Sequence, residues 1–267
     1  MVKYLATGLL LAIVSVAAIW PFLPTSPELS SSKSKTQTVN AEPVQVALQP
    51  AQVVNKQLPD FASYKDVKTK KRKFFNYLKP MVEKVNAEIK QDRAFITQIQ
   101  RSPVEQANKE RFNRLLKKYR VKSNLSFAEK RQTLLRRADV LPIELVLMQA
   151  ANESAWGTSR FALEANNLFG QWCFRVGCGV VPEGRPEGKK YEVRKFNRPI
   201  ESIRSYFHNL NTGYAYDDLR TLRVQLRAND KELDPYVIAE GLLPYSTRRE
   251  EYVIEIQNMI RINKKYI

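Results

Sequence analysis

One histidine, two cysteines and nine glycines are all that this 267-residue chain has of three residue types on which much protein chemistry depends. A single histidine, His208, cannot anchor a multi-histidine metal centre, and no Ser-His-Asp or Cys-His arrangement is evident around it. It reads as a helix residue near the surface. No phosphate loop, dinucleotide fingerprint or calcium loop occurs, so no cofactor and no metal are expected. Acidic residues are also short: 27 Asp and Glu face 44 Lys and Arg, for a formal charge of +17. The excess is local. Lys65 to Arg137 carries 22 Lys and Arg against seven Asp and Glu, whereas from Ala138 onward the counts are 18 and 17. Such a segment suits nucleic acid, an anionic membrane face or an acidic polymer, or else is a solvated helix surface.

What is present begins with an apolar run. After Met1-Val2-Lys3 it extends from Tyr4 to Trp20, and Pro21, Pro24 and Pro27 follow. One positive charge, an apolar run and a Pro-rich exit fit a secretory signal or an uncleaved membrane anchor over residues 1–22. The run is near the lower limit for crossing a bilayer, roughly 17 to 25 residues. Ala17 and Ala18 would suit a signal peptidase and Ile19 and Trp20 would not, so both readings stand. Export argues against nucleic acid as the partner. It also takes Cys173 and Cys178 to an oxidising compartment, where they are expected to pair.

Residues 23–60 lack a lasting period and read as a flexible linker. Residues 61–122 read as a basic helical extension, its helices separated by Pro80 and by Ser102-Pro103. Phe74, Phe75, Leu78, Met81, Val82 and Val85 recur at helical spacing, as do Phe112, Leu115, Leu116 and Tyr119. These stripes are packing faces. Ser126-Phe-Ala-Glu129 is a capping box that predicts a helix to about Ala138. Pro142 suits the first turn of the next helix, which is apolar nearly all round and therefore buried. A short helix over 161–164, a loop at 166–170 and a β-hairpin from Cys173 to Phe196 follow. The arms of the hairpin are Val180-Val181 and Tyr191 to Phe196. Helices are expected over 200–210, 217–228 and 236–240, and a last one over 250–263 with Ser246 or Thr247 as its N-cap. The fold class is α+β, mostly α.

The chemistry lies in Leu145-Val-Leu-Met-Gln-Ala-Ala-Asn-Glu-Ser-Ala-Trp-Gly157. An apolar helix ends abruptly in Glu153, at the mouth of a cleft. A partly desolvated carboxyl has a raised pKa and can donate a proton to a leaving sugar oxygen. Trp156 follows closely, placed to desolvate the acid, to stack on a sugar or to pack in the core.

Several segments together resemble the glucosaminidase family of bacterial cell-wall hydrolases, and within it the Bax-like branch. They are Gln149 to Gly157, Asn166-Asn-Leu-Phe-Gly170, Val193 to Ile203, and Tyr245-Ser-Thr followed by Tyr252, in that order. The resemblance runs from about Ser123 to Ile267, and the basic helices from Phe61 also look Bax-like. It implies a lysozyme-like domain over 123–267 and hydrolysis of the β-1,4 bond after N-acetylglucosamine in peptidoglycan, with Glu153 as general acid. With the apolar N-terminal run, the expected protein is exported and periplasmic, anchored in the inner membrane where residues 1–22 are retained. Its partner would be peptidoglycan, and the charge of the basic helices suits an anionic membrane surface or the acidic cell wall. Family members often carry a second Glu on the first hairpin arm, poised to activate water. By position Glu183 matches, with Glu187 and Glu192 as rivals. The Cys173–Cys178 pair and Pro182 depart from the family pattern there. The position of the second carboxylate separates inversion from a covalent intermediate, and attack by the substrate's own N-acetyl group would need only Glu153. The resemblance also places Tyr245 at the sugar platform, with Tyr216 (or Tyr214) beside it, and Phe169 either there or, like Trp156, in the core. It assigns Asn167 to bracing its loop and touching substrate. A lytic transglycosylase shares a Glu acid, but the Gly-Leu-Met-Gln phrase of the goose type is lacking after Glu153. A non-catalytic wall-binding protein on this fold is the other alternative.

Overall fold

A computed structural model describes residues 58–102 and 105–267. The expected signal or anchor and residues 23–57 of the expected linker lie outside them. Among the described residues there are nine α-helices and one small sheet. Helix α1 (Val67–Gln98) is capped by Asp66, whose carboxylate accepts from the Thr69 amide at 2.6 Å. It runs unbroken through Pro80, where the sequence suggested a separation. The lost amide bond would fall on Asn76, and both Asn76 and Pro80 lie on the exposed face where water can replace it. Phe74, Phe75 and Leu78 before the proline, and Val82, Val85 and Ile89 after it, are buried in one core. Packing on both flanks outweighs the break.

Helix α2 (Gln106–Lys118) and α3 (Phe127–Arg137) close a second, smaller core over the far end of α1, built from Phe95, Ile96, Phe112, Leu115, Tyr119, Leu134 and Ala138. The Ser126–Glu129 capping box is present in full. Helix α4 (Ile143–Glu153) has Leu145 to Ala151 all buried. Asn86 of α1 clamps its approach: the Asn86 amide donates to the Leu141 carbonyl at 2.9 Å and accepts from the Leu141 amide at 3.2 Å. Helices α5 (Arg160–Ala165), α6 (Pro199–Thr212), α7 (Asp217–Ala228), α8 (Pro235–Glu240) and α9 (Glu250–Asn263) complete the shell. Helix α4 packs against α1, α8 and α9. The last helix spans the expected residues but is capped at Arg249, not at Ser246 or Thr247. Arg249 is its N-cap, with φ +46 and no side-chain bond, while Ser246 accepts from the Arg248 amide one turn earlier.

The expected hairpin is a three-stranded antiparallel sheet. Strands β1 (Trp172–Cys173) and β2 (Gly179–Val180) lie on either side of β3 (Glu192–Arg194). Trp172 faces Val193 in register, and Val180 faces Val193 from the other side. The fold is the α+β, mostly α, lysozyme-like arrangement expected. No helix among the described residues is long and apolar enough to cross a membrane.

A buried ionic hub ties the shell together. The Asp139 carboxylate, 4% exposed, takes two bonds of 2.6 Å from Arg227 of α7 and lies 3.6 Å from Arg93 of α1. Arg223 is buried beneath them and stays charged at neutral pH, although burial pulls its guanidinium down to about 10. It donates to the carbonyls of Asp139 and Val140 and to Asn211 Oδ1.

Candidate active site

The helix that carries Glu153 ends in an unusual turn. Ala155, Trp156 and Gly157 follow one another with φ of +49, +60 and +78, a region that non-glycine residues seldom enter. Ser154 holds the turn: its hydroxyl donates to the Ala150 carbonyl at 2.6 Å and accepts from the Gly157 amide at 2.8 Å. Only glycine fits at 157, because a Cβ there would lie 2.6 Å from the Phe61 ring. The turn stops α4 abruptly and leaves Glu153 at its end. Strain of this kind persists where the surroundings over-determine it, and functional sites are where it clusters.

Glu153 is largely enclosed. Burial pushes its carboxyl above the ordinary range, and the hydrogen bond from Tyr252 offsets part of that. The Tyr252 hydroxyl donates to Glu153 Oε1 at 2.7 Å. Glu255 pushes the carboxyl further up and Arg248 pulls it down, and these two are bonded to each other. The other oxygen, Oε2, faces Gly170. A Cβ at that residue, φ +63, would sit 3.9 Å from it. Gly170 is exposed, so this is the open side of the acid.

A tyrosine-rich wall surrounds the group. Tyr245 stacks on Tyr252 with ring centres 5.4 Å apart, and its hydroxyl donates to the Phe169 carbonyl at 3.0 Å. Phe169 stacks on Tyr206 at 4.1 Å. Tyr216 lies 6.3 Å from Tyr245, and burial pushes its phenol up to about 12. Tyr214, its rival in sequence, is 67% exposed. Asn167 is buried in the loop beneath. Its amide donates to the carbonyls of Gln171 and Arg194, and its oxygen accepts from the amides of Phe169 and Gln171. All four hydrogen-bonding positions are used within the protein, so Asn167 holds the shape of the loop and has no capacity left for a ligand.

The remaining expected residues are placed elsewhere. Trp156 packs edge-on against Phe74 and Phe75 of α1, with centres at 5.7 and 5.3 Å, and the Lys71 ammonium lies 4.9 Å over its ring. Of its three readings, core packing describes these contacts. The Glu183 side chain is 85% exposed and pairs with Arg160 at 3.5 Å. Glu187 is exposed. Glu192 is buried under the loop closed by the Cys173–Cys178 disulfide, which is formed as expected. The Glu192 carboxylate accepts from the amides of Gly177 and Gly179, and the Gly177 bond is the main cause of its lowered pKa. Glu192 therefore braces the disulfide loop. His208 is half-buried on α6, and burial, with Arg120, Lys118 and Arg194 nearby, pulls its imidazole down to about 4. It is neutral at physiological pH.

The structure thus gathers Glu153, Phe169, Tyr216 and Tyr245 and leaves Glu183 and Trp156 outside that cluster. It adds residues to which sequence reasoning gave no role: Gln149, Tyr206, Tyr252 and the Arg248–Glu255 pair. One signal was legible. Gln149 is the sole polar residue in an otherwise apolar turn of a buried helix, and such a group needs partners.

An acid bonded by Tyr252 at the end of a buried helix, in a lysozyme-like fold, fits a glycosidase-type enzyme, and the chain belongs to the glucosaminidase family. Residues 128–265 match that family, described as mannosyl-glycoprotein endo-beta-N-acetylglucosaminidase. Among particular proteins it is similar to Protein bax of Escherichia coli (strain K12), 34% identical over 215 residues that span 79% of this chain and 76% of that one. No solved structure matches the chain.

Proposed function

We propose that the protein hydrolyses the β-1,4 bond after N-acetylglucosamine in peptidoglycan, with Glu153 giving its proton to the leaving sugar oxygen. The observation that carries this is the Glu153 carboxyl itself, raised by burial, with Tyr252 bonded to Oε1 and Oε2 facing an exposed glycine. A carboxyl that keeps its proton toward neutral pH is what general acid catalysis of glycoside cleavage needs. Tyr216 and Tyr245 line the approach as the sugar platform. Asn167 and Phe169 act behind them as supports.

The attacking atom is best read as the substrate's own acetamido oxygen. The hairpin carboxylates favour this, since Glu183 is engaged with Arg160 and Glu192 with the disulfide loop. Glu183 is the base of the competing route, in which it activates water. Glu183→Gln separates the two: activity kept within a few-fold supports the acetamido route, and loss comparable to that of Glu153→Gln assigns the base to Glu183.

Digestion of purified peptidoglycan with mass analysis of the products tests the reaction. Reducing-end N-acetylglucosamine is the expected product. Anhydro-muramic ends would make the protein a lytic transglycosylase, and no product from folded protein would make it a wall-binding protein.

We place this activity outside the cytoplasm, with the basic helices against the acidic wall or an anionic membrane face. Exposed Lys65, Lys68, Arg72, Lys73, Lys84 and Lys90 support this. Binding to wall fragments or anionic vesicles should weaken severalfold as salt rises, because exposed charges are screened. Salt-independent binding would remove the electrostatic role.

A further inference from the structure

We propose that a buried relay, Tyr206–Gln149–Tyr252, dictates which oxygen of Glu153 carries the proton, and that Tyr206 and Gln149 are positioning residues for the acid although neither touches it. The inference rests on the reading of Glu153 as proton donor and deepens it.

Three side chains are joined in a line behind the acid. The Tyr206 hydroxyl donates to Gln149 Oε1. Gln149 Nε2 donates to the Tyr252 oxygen at 3.0 Å. Tyr252 in turn donates to Glu153 Oε1 at 2.7 Å. Each hydroxyl has one hydrogen, so each direction constrains the next. Turning the Gln149 amide over would set its oxygen against Tyr252. It would also take from the Tyr206 hydrogen, in a residue 1% exposed, the acceptor it now has. A buried donor left without a partner is costly, and this locks the line in one sense. Both phenols keep their protons, since burial raises each well above the ordinary phenol range.

The sense of the line has a chemical result. Oε1 receives a hydrogen bond, so the acidic proton of Glu153 belongs on Oε2. That oxygen faces Gly170 and the open side. In the reaction the proton leaves Oε2 for the glycosidic oxygen as the C–O bond breaks, and Glu153 becomes a carboxylate. The Tyr252 bond to Oε1 then becomes charge-assisted and strengthens. With the line reversed, the proton would sit on Oε1, pointing at Tyr252 and away from any leaving group.

Other groups also face the acid. Tyr252 and Glu255 come from α9, Arg248 from the turn before it, Asn152 from α4, Tyr206 from α6, and Tyr216 and Tyr245 from the short turns at 214–216 and 243–245. Glu255 raises the Glu153 carboxyl and Arg248, bonded to Glu255, lowers it by less. Asn152 also hydrogen-bonds the carboxyl and lowers it, but more weakly than Tyr252 does. Tyr216 and Tyr245 bond to other partners.

Tyr206→Phe tests the relay without touching Glu153, and the phenyl ring keeps the stack on Phe169. The freed Gln149 amide can turn its oxygen to Tyr252, which withdraws the hydrogen bond that favours the Glu153 carboxylate. The expected result is a kcat about tenfold lower, one hydrogen bond's worth, with KM nearly unchanged. The basic limb of the pH–rate profile should move to higher pH, and Tyr252→Phe should move it the same way and further. An independent readout is the carboxylic acid stretch of Glu153 in infrared difference spectra, wild type minus Glu153→Gln, which should shift in Tyr206→Phe. A wild-type pH profile or an unmoved band in Tyr206→Phe overturns the relay while leaving Glu153 as the acid. Full activity in Glu153→Gln removes the acid and the relay with it.

Discussion

Replacing Glu153 by Gln is expected to lower hydrolysis of peptidoglycan by on the order of 10³-fold, the usual range for losing a general acid. Glutamine can keep the bond to Tyr252 through its amide oxygen, and its NH₂ then faces Gly170 in place of the acidic proton. The fold should not suffer. The folded carboxyl holds its proton to higher pH than it does in the unfolded chain, because burial disfavours its charge. Its contribution to stability is therefore fully present below the ordinary carboxylate range and is lost as pH rises through the raised value. At neutral pH the wild type carries that cost and the amide does not. Urea unfolding of both proteins from pH 4 to 8 should show Glu153→Gln equal or more stable at the upper end. A variant with a tenth of wild-type turnover, or one markedly less stable at neutral pH, would contradict this account of the residue.

Asp139→Ala should do the reverse, leaving the site chemistry in place and weakening the whole molecule. The carboxylate binds Arg227 through two bonds and neighbours Arg93, and Arg223 is buried against its backbone carbonyl. Removing it strands cationic groups of α1 and α7 in a low-dielectric setting. We expect a loss of about 3 kcal/mol, the low end for breaking a buried pair, because Arg227 is partly exposed. Urea midpoints at constant m-value provide the measurement. A loss below about 1 kcal/mol would rank the hub with surface salt bridges.

Local signals carried far along this chain, and their failures share one cause. The capping box at Ser126, the buried helix from Ile143 and the helix over 217–228 are written in short-range pattern, and the structure has them. Pro80 was misread because its cost is local while the packing that overrides it comes from α4 and α6, far away in sequence. Strand β1 is two residues long and too short to carry a period, so only its pairing with β3 reveals it. At the site the acid was legible, since an apolar run that ends in a carboxylate is a local event. Tyr206 was not, and Tyr252 was legible only as a residue of the resemblance, without its role. Their hydroxyls meet around Gln149 across 57 and 103 residues of sequence, and a tyrosine in a helical stripe looks the same whether its oxygen reaches solvent or a buried amide. Trp156 was ambiguous for the same reason, because Phe74 and Phe75 reach it from α1.

The seating of Trp156 also sets where this enzyme can be cut. The family-matched stretch begins at residue 128, yet Phe61, Phe74, Phe75 and Leu78 form part of the core around α4, and Asn86 fixes its entry. A recombinant chain starting at 128 would expose one side of the helix that carries Glu153 to water and remove the ring against which Gly157 is fitted. The basic segment is thus no detachable tail. Because the two share one core within one compact unit, it should melt together with the acid's scaffold in one cooperative transition, and a signal acting on its lysine-rich face is applied to the same unit that holds the proton.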